Sequence, residues 1–446
     1  MKNLPKGSKK LLNAWAFYDW ANSVYSLVIA STVFPIFYAA LTIVKNEQGE
    51  IVDDSVQLLG FDFNNDSLIS YVTALAFLVV AVMSPFLSGI ADYVGNKKNF
   101  LKFFCYMGAL SCIGLFWFDL ENLWFGLLCY FLALVGFWAS LVFYNSYLPD
   151  IAFPEQQDKV SAKGFSMGYI GSVILLVICL FMILNFELFG FEDSAFPTRL
   201  SFVLTGVWWI GFSQITYYYL PKGNKKQTLS NEVLFNGFKE LKKIWNSLQH
   251  NPQLKKYLRA FFVYSMAVQT VMLIATYFGI EEVNWAGDDS TIGLIVSILL
   301  IQLVAIAGAT ITSRLSEKFG NINILIAVNL VWIGICIYAF FVRTPMQFYI
   351  AAGLVGLVMG GIQTLSRSTY SKMIPEGTLD TASFFSFYDV SEKIGIVIGM
   401  LLYGMVAQVF GSIRYSVLFL TAFFFIGVIL LLRVPREHLQ PKKETV

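Results

Sequence analysis

The sequence is short of charged residues and nearly without histidine. Asp, Glu, Lys and Arg together make up 13% of the 446 residues, about half of the ~25% found in soluble proteins. The two histidines, His250 and His438, lie in polar segments, so a histidine proton relay inside an apolar core is excluded. A net charge of +2 is too small to indicate a nucleic acid as a partner.

The sequence also lacks short motifs that mark several enzyme classes and metal sites. No HExxH, CxxC or P-loop pattern occurs. These absences predict a protein that is not an enzyme and that holds no metal or other cofactor. The cysteines all lie inside apolar runs without the spacing of metal ligands, so we expect buried packing residues. They are Cys105, Cys112, Cys129, Cys179 and Cys336.

Long apolar runs, in contrast, are abundant. Hydrophobic residues make up 57% of the chain, and the mean hydropathy is +0.65. A helix crosses a bilayer with about 20 apolar residues, and an isolated strand cannot satisfy its backbone in lipid. The sequence therefore predicts an all-α protein in a lipid bilayer, with most aromatic side chains facing lipid or its interface. Twelve segments are long enough, at approximately 12–43, 68–94, 100–118, 123–148, 164–188, 199–220, 257–280, 290–313, 322–342, 346–370, 383–410 and 414–434.

The distribution of Lys and Arg predicts the orientation. If the N-terminus is cytoplasmic, 26 of the 31 basic residues fall in tails and connections on the cytoplasmic side, and 4 fall on the outer side. Basic connections are retained in the cytoplasm, so we predict twelve transmembrane helices with both termini cytoplasmic. The expected location is the inner membrane of a bacterial cell.

Short motifs of the first half of the chain recur, as echoes of similar sequence, in the second half. Asp92 and Gly95 follow the second segment as Glu317 and Gly320 follow the eighth, at an offset of 225 residues. The stretches FPEQQDKV and IPEGTLDT, after the fourth and tenth segments, are 221 residues apart. The echoes predict a duplicated six-helix unit, as in transporters with repeated halves. The predicted parts are an N-terminal half at 1–220, a cytoplasmic linker at 221–256, a C-terminal half at 257–434 and a cytoplasmic tail at 435–446.

The linker carries the pattern of an amphipathic helix. In NEVLFNGFKELKKIWNSLQHNP, apolar residues recur at helical spacing with lysines opposite, and Asn251-Pro252 ends the pattern. Two interpretations stay open: the helix lies on the inner membrane face, or it is a tether packed against the bundle.

A glycine-aspartate motif, GIADYVGNKK, occupies the connection after the second segment. A glycine permits close approach of helices, and an aspartate accepts hydrogen bonds from the positive N-terminal end of a neighbouring helix. The residues concerned are Gly89, Asp92, Gly95, Lys97 and Lys98. The motif resembles the signature loop of the major facilitator superfamily. That resemblance implies a cytoplasmic gating loop whose aspartate contacts the start of the eleventh helix and locks the outward-open state. Tyr93 and Asn96 stand where arginine is usual.

Three further stretches narrow the family. They are FYDWANS at 17–23, GGIQTLSRS at 360–368 and FYDVSEK at 387–393. Together they resemble the vacuole-effluxer branch of that superfamily, which comprises autophagy-related vacuolar amino-acid effluxers of fungi and bacterial relatives. The resemblance spans nearly the whole chain. It implies a major-facilitator-type bundle of 12 helices in two pseudo-symmetric six-helix halves, and amino-acid efflux. Gly399 is followed by Met400, whereas the family often has Gly-Pro there.

Asp19, in the first segment, is a candidate coupling residue, with Asn22 and Ser23 on its face. A charged side chain in the membrane costs about 2.5–3.5 kcal/mol on insertion scales, and such groups usually face the bundle interior or water. We expect a proton-coupling or gating carboxylate in the cytoplasmic half of a central cavity. The alternative is an interfacial residue that caps or pins helices.

Three ionisable residues of the eleventh segment, Asp389, Glu392 and Lys393, are further candidates. Asp389 and Lys393 share a helix face, so Lys393 can neutralise one acid. Arg367 of the tenth segment is the predicted partner of the other acid, in a pair that breaks when access changes. Alternatively, Arg367 binds an anionic substrate group, or the charges form a static network. Gln363, one turn from Arg367, is expected to face the same cavity.

These features favour a secondary transporter that moves a small solute, an amino acid or similar metabolite, by alternating access of two halves. Protons are the expected coupling ion because carboxylates lie within the membrane, and sodium is the alternative. A receptor or scaffold of transporter fold, and a transporter of drugs, sugars or peptides, stay open. We expect a monomer.

Overall fold

A computed structural model of the chain describes residues 4–46, 51–58, 60–222, 233–285 and 290–435. Within these residues the chain forms a bundle of long helices with two small antiparallel β-hairpins, β1–β2 and β3–β4. The elements of the first half are α1 (Lys9–Val24), a π-helix (Tyr25–Val33), α2 (Phe34–Thr42), β1 (Val44–Lys45), β2 (Ile51–Asp53), β3 (Ser55–Leu58), β4 (Phe61–Asn64), α3 (Asn65–Val94), α4 (Lys97–Gly114), α5 (Leu123–Asn145), α6 (Leu148–Ile151), α7 (Pro154–Leu184) and α8 (Ala195–Tyr219). The elements that follow are α9 (Val233–His250), α10 (Pro252–Glu282), α11 (Ser290–Phe319), α12 (Asn321–Phe341), α13 (Pro345–Met373), α14 (Thr381–Phe410) and α15 (Ile413–Leu432).

Within the described residues, eleven helical spans are long and apolar enough to cross a membrane. The first span, Lys9–Thr42, combines α1, the π-helix and α2. The 25-residue α8 does not meet that criterion, but it packs against α1 and α4 inside the bundle. The predicted all-α membrane fold is therefore confirmed, and the spans together with α8 are consistent with the twelve predicted segments.

Proline sets the start of three long helices. Helices α7, α10 and α13 begin at Pro154, Pro252 and Pro345, at the position where the missing N–H of proline leaves no helical bond unmade. The predicted end of the linker pattern at Asn251-Pro252 is confirmed. The predicted start of the fifth segment at residue 164 is wrong, because α7 begins ten residues earlier with polar turns that are partly buried between helices.

The first span is not one regular helix. Nine residues of the first predicted segment, Tyr25–Val33, form π-helical turns. Such turns are rare in proteins overall, and where they occur they are often found at functional sites. Five residues of this stretch line the cavity described below, so the irregular backbone borders the centre of the protein.

Buried side chains form two large apolar clusters. One is built almost entirely from residues 11–220, and the other almost entirely from residues 244–434. The clusters meet where α3 packs against α14, and where α7 packs against α11 and α13. The chain therefore builds one core in each half, although the exact part boundaries stay a prediction.

Helix α9 lies across the junction of the halves. It contacts both α3 and α14, with Ile244 and Leu248 buried against the bundle. Lys243 Nζ lies 2.9 Å from Asp380 Oδ2, next to the start of α14. The helix therefore packs against the bundle, as one of the two interpretations expects, and its position on the inner membrane face stays a prediction. Residues 223–232 of the linker and 436–446 of the tail lie outside the described residues.

The bundle has two ends, which we name for use below. The basic end holds the connections α3–α4, α6–α7, α11–α12 and α13–α14, together with α9. The acidic end holds both β-hairpins and the connections α7–α8 and α12–α13.

Candidate functional site

A cavity of about 340 Å³ lies between the two halves. Residues of α1, the π-helix, α3, α5 and α7 line one side, and residues of α10, α11, α13 and α14 line the other. Six of the predicted transport residues line it, namely Asp19, Asn22, Ser23, Gln363, Arg367 and Glu392. The other two, Asp389 and Lys393, lie behind its wall, where α14 packs against α3.

The aromatic side chains are placed differently from the prediction. The twelve largest fully buried side chains of the described residues are all aromatic, including Trp15, Trp209 and Trp332. Others form the cavity wall, among them Trp138 and Tyr388. The expectation that most aromatics face lipid is wrong for these residues, because the cavity and the cores need large side chains to fill them.

Arg367 of α13 forms a closed ion pair with Asp19 of α1 at one extremity of the cavity. Its Nη1 and Nη2 each donate to Asp19 Oδ2 at 3.2 Å. Its Nε donates to Ser161 Oγ at 3.0 Å, Nη2 to Ser161 O at 2.9 Å, and Nη1 to Asn145 Oδ1 at 3.3 Å. Tyr144 also donates to Asp19 Oδ2, at 2.9 Å. All five N–H donors of the guanidinium are therefore used.

Every polar partner of Arg367 belongs to the opposite half of the chain. Asp19, Asn145 and Ser161 lie on α1, α5 and α7, whereas Arg367 lies on α13. The guanidinium also faces the ring of Phe165, at 4.0 Å from the centroid. The side chain is 4% exposed, so this contact ties the halves together and leaves no donor for a substrate anion in this conformation.

The predicted pairing of Arg367 with an acid of the eleventh segment is wrong in this structure. Lys393 Nζ serves both acids of α14, at 3.1 Å from Asp389 Oδ1 and 3.0 Å from Glu392 Oε2. Because that lysine lies between the two carboxylates, the acid available to Arg367 is Asp19. The i,i+4 pairing of Asp389 with Lys393 is confirmed.

Lys393 with its two acids forms what we call the Lys393 cluster. The ammonium group lies 3.4 Å from the ring centroid of Trp138 on α5, and Lys393 is 1% exposed. Glu392 Oε1 accepts a hydrogen bond from Gln269 Nε2 at 2.6 Å. Asp389 Oδ2 is buried beside Ser84 of α3, and it accepts no hydrogen bond of standard geometry within the described part of the chain. The cluster therefore reaches from the α3–α14 contact to the cavity through Glu392.

The remaining predicted site residues in the cavity, Asn22, Ser23 and Gln363, are uncharged and polar. Gln363 Oε1 accepts from Tyr169 Oη at 2.7 Å, across the two halves. Ser23 Oγ donates weakly to Asn22 Oδ1 at 3.4 Å. Asn22 is 1% exposed, and its Nδ2 finds no acceptor among the residues that the structure describes.

Residues 164–168 read GFSMG and match the GxSxG pattern of serine hydrolases. That motif requires a sharp strand-to-helix turn, whereas this stretch lies inside α7. The glycines instead permit close packing on α1, since a Cβ at Gly164 would lie 2.4 Å from Asp19 Oδ2 and one at Gly168 would lie 2.4 Å from Ser23 Oγ. Gly164 is thus a site residue that the sequence analysis missed, because only the α1–α7 contact reveals it.

The predicted gating loop lies at the basic end. Asp92 Oδ2 accepts from the backbone N and the Oγ of Ser383, each at 2.7 Å, and Oδ1 accepts from Ala382 N at 3.3 Å. These donors belong to the first turn of α14, where unpaired N–H groups favour an anion. The aspartate of α3 in the first half is thereby joined to a helix start in the second half.

The lysines of this loop act on different partners. Lys97 forms an ion pair with Asp150 and donates to Thr381 Oγ1 at 2.7 Å, so it also joins the two halves. Lys98 donates to Leu220 O at 2.8 Å within the first half. Gly95 adopts a left-handed φ of 68°, which suits glycine. Gly89 is buried in α3.

A second contact between the halves at the basic end was not foreseen. Asp158 of α7 accepts from Lys372 Nζ at 2.5 Å, Asn321 Nδ2 at 2.8 Å and Ser316 Oγ at 3.1 Å. Glu317, which corresponds to Asp92 in the repeat, is exposed and does not supply the acid of this contact. The acids of both contacts therefore lie in the first half, and the donors in the second.

Comparison with protein families gives a match over nearly the whole chain. Residues 7–444 match the model of the family described as vacuole effluxer Atg22 like. An MFS-type transporter of uncharacterised function from Bacillus subtilis, YxiO, is 33% identical over 429 residues, covering 95% of each chain. Autophagy-related protein 22 of Coccidioides immitis is 24% identical over 95% of this chain and 85% of its own length.

Solved structures share the fold. The transporter FucP of the major facilitator superfamily, in an outward conformation, superposes with a TM-score of 0.67 at 13% identity, covering 96% of this chain and 98% of FucP. The proton:xylose symporter XylE superposes with a TM-score of 0.67 at 11% identity, covering 96% and 95%. At such low identity these similarities show the fold alone.

Proposed function

The chain belongs to the Atg22-like vacuole effluxer family, as a multi-pass transporter of the major facilitator type, and from that premise we propose that it moves an amino acid or similar small metabolite by proton-coupled alternating access. The observation that carries the proposal is the closed pair of Asp19 and Arg367. This pair lies at one extremity of the central cavity and joins the halves that must separate when access changes.

Proton coupling follows from the state of the Asp19 carboxylate once the two halves separate. If the basic end opens, Arg367 departs with α13 from its five hydrogen bonds to the first half. Asp19 then stays in a low-dielectric site without its cation, which is strongly unfavourable for an ionised carboxylate. Uptake of a proton by Asp19 removes that charge. Reclosure of the pair expels the proton from Asp19, so that the change of access is coupled to proton binding and release.

The orientation completes the proposal. We place the basic end in the cytoplasm of a bacterial cell, with both termini there, since basic connections are retained on that side. Asp92, Lys97 and Asp158 close the cytoplasmic end in the present conformation, which is then outward-facing. The transporter is proposed to act as a monomer with no cofactor.

The test uses the purified full-length protein in proteoliposomes with a panel of labelled amino acids. We expect uptake that follows an imposed pH gradient in wild-type protein. In Asp19→Asn we expect loss of pH-driven uptake while substrate exchange continues, because the amide cannot carry the proton. Glu317→Gln, at an exposed acid of the basic end, is the matched control and should behave as wild type.

Each alternative has its own result in the same assay. Full pH-driven uptake by Asp19→Asn contradicts the coupling role. Uptake that follows a sodium gradient at equal pH replaces the proton with sodium. Specific binding without any flux favours the receptor or scaffold of the same fold.

A further inference from the structure

The charges around the cavity do not balance. Of the described residues that line it, three carry charge, namely Asp19, Arg367 and Glu392. Asp19 and Arg367 neutralise each other in the closed pair. Glu392 shares Lys393 with Asp389, so the Lys393 cluster holds two carboxylates and one ammonium group. One negative charge in excess thus stands at the cavity wall.

Glu392 is the member of the cluster that a solute reaches. Its side chain is 16% exposed and lines the cavity, whereas the side chains of Asp389 and Lys393 are 9% and 1% exposed. Glu392 accepts one hydrogen bond from Gln269 and one from Lys393. A carboxylate has about four acceptor positions, so acceptor capacity is left for a cationic group.

The other half offers an unused donor. Asn22 of α1 is buried, lines the same cavity, and its Nδ2 has no acceptor in the described residues. A buried amide N–H without a partner is costly, and a ligand carboxylate or carbonyl oxygen would satisfy it. Arg367 cannot replace Asn22 in this task, since its five donors are engaged.

We infer that Glu392 binds the protonated amine of the substrate, with Gln269 as a positioning residue, and that Asn22 donates to an oxygen of the same molecule. Within the substrate class of the proposed function, Glu392 would thus select for a protonated amine and Asn22 for a carboxylate or carbonyl oxygen. This assignment rests on the proposed transport function. Glu392 and Asn22 line the same cavity from opposite halves, so a molecule bound by both would join the two halves.

The experiment measures binding of four matched compounds to the full-length protein in detergent, by isothermal titration and by the ligand-dependent rise in unfolding temperature. The compounds are leucine, isopentylamine, 4-methylpentanoate and N-acetyl-leucine. We expect leucine and isopentylamine to bind, and the two compounds without a protonated amine not to bind. Equal binding of 4-methylpentanoate, or absence of binding by both amines, overturns the inference.

Variants assign the subsites. Loss of a hydrogen bond to a charged group weakens binding by about 10- to 100-fold, so we expect that loss in Glu392→Gln for both amines. In Asn22→Ala we expect a loss for leucine alone, since isopentylamine has no oxygen. Gln269→Ala should weaken both amines less than Glu392→Gln does. Glu317→Gln is the matched control, and the ligand-free unfolding temperature of each variant reports whether it folds.

Three outcomes separate this inference from the transport proposal. Unchanged amine affinity in a folded Glu392→Gln protein overturns the amine subsite. The additional carboxylate of the Lys393 cluster would then serve to bind a proton instead of an amine. Flux of solutes without an amine, in wild-type proteoliposomes, also overturns it while transport stands. Amine binding that depends on Glu392, without any flux, supports the subsite and overturns transport.

Discussion

The two groups of buried charge beside the cavity differ in how fully they are satisfied. Arg367 and Asp19 balance in charge, and every donor of the guanidinium has an acceptor. The Lys393 cluster carries an additional carboxylate, and Asp389 Oδ2 accepts no hydrogen bond of standard geometry within the described chain. Both groups lie in helices that cross the membrane, where an unsatisfied charge is costly.

The difference indicates that the two groups have different roles. A balanced, fully bonded pair whose partners lie in opposite halves stabilises one conformation and must be broken to reach another. An unbalanced cluster with one member at the cavity wall gains free energy when a cation or proton arrives. We therefore interpret Asp19–Arg367 as a lock between the halves and the Lys393 cluster as a place of binding.

The largest expected effect comes from breaking the closed pair. Arg367→Ala leaves Asp19 buried without its cation, which typically costs about 3–5 kcal/mol. In the double variant Arg367→Ala/Asp19→Asn, the unpaired charge is gone, so the loss of unfolding free energy should be smaller than the sum of the single losses by about 1–3 kcal/mol. Denaturant titration of the purified protein in detergent measures these values.

A second cycle serves as the control for the first. Arg367 and Asp389 share no hydrogen-bond partner, so the changes Arg367→Ala and Asp389→Asn should add within about 0.5 kcal/mol. A large coupling free energy between Arg367 and Asp389, and none between Arg367 and Asp19, would mean that Arg367 pairs with an acid of α14, as the sequence predicted. The distinction between a balanced pair and an unbalanced Lys393 cluster would then be wrong.

The partner of Arg367 shows the limit of what could be predicted from the sequence. Hydropathy was sufficient to predict that the long helices exist, though not where α7 begins, and spacing within α14 was sufficient to predict the pairing of Asp389 with Lys393. The contact of Asp92 with the start of α14 followed from a loop motif with a known partner. The choice of Asp19 over an acid of α14 for Arg367 required the packing of α1 on α7 and of α7 on α13, which no local pattern encodes.

Residues that act only through packing were missed for the same reason. Ser161 and Gly164 are small residues in an apolar helix, and their neighbours become visible only when α7 lies on α1 and α13. The π-helical turns at Tyr25–Val33 leave the composition unchanged, so hydropathy did not indicate them. Asp158 was noticed as part of an echo, but its donors come from three other helices.

An effect of intermediate size is expected when the acids of the two groups are replaced one at a time. Asp19→Asn removes the one carboxylate that pairs with Arg367 among the described residues, whereas Asp389→Asn leaves Lys393 paired with Glu392 and removes the excess charge. We expect Asp389→Asn to change the unfolding free energy by less than about 1 kcal/mol, and Asp19→Asn to lower it by more than that. Similar losses in the same titration would mean that both groups are equally balanced.

The smallest expected effect concerns the ring beneath Lys393. Trp138→Phe keeps an aromatic face but weakens its attraction for the ammonium group, which lies 3.4 Å from the ring centroid. We expect a loss of about 0.5–1 kcal/mol of unfolding free energy, with Trp124→Phe, at a site 59% exposed, as the control. A loss as large as that of Asp19→Asn would mean that the ring, rather than the carboxylates, stabilises Lys393, and the cluster would then be a packing contact between α5 and α14 instead of a binding place.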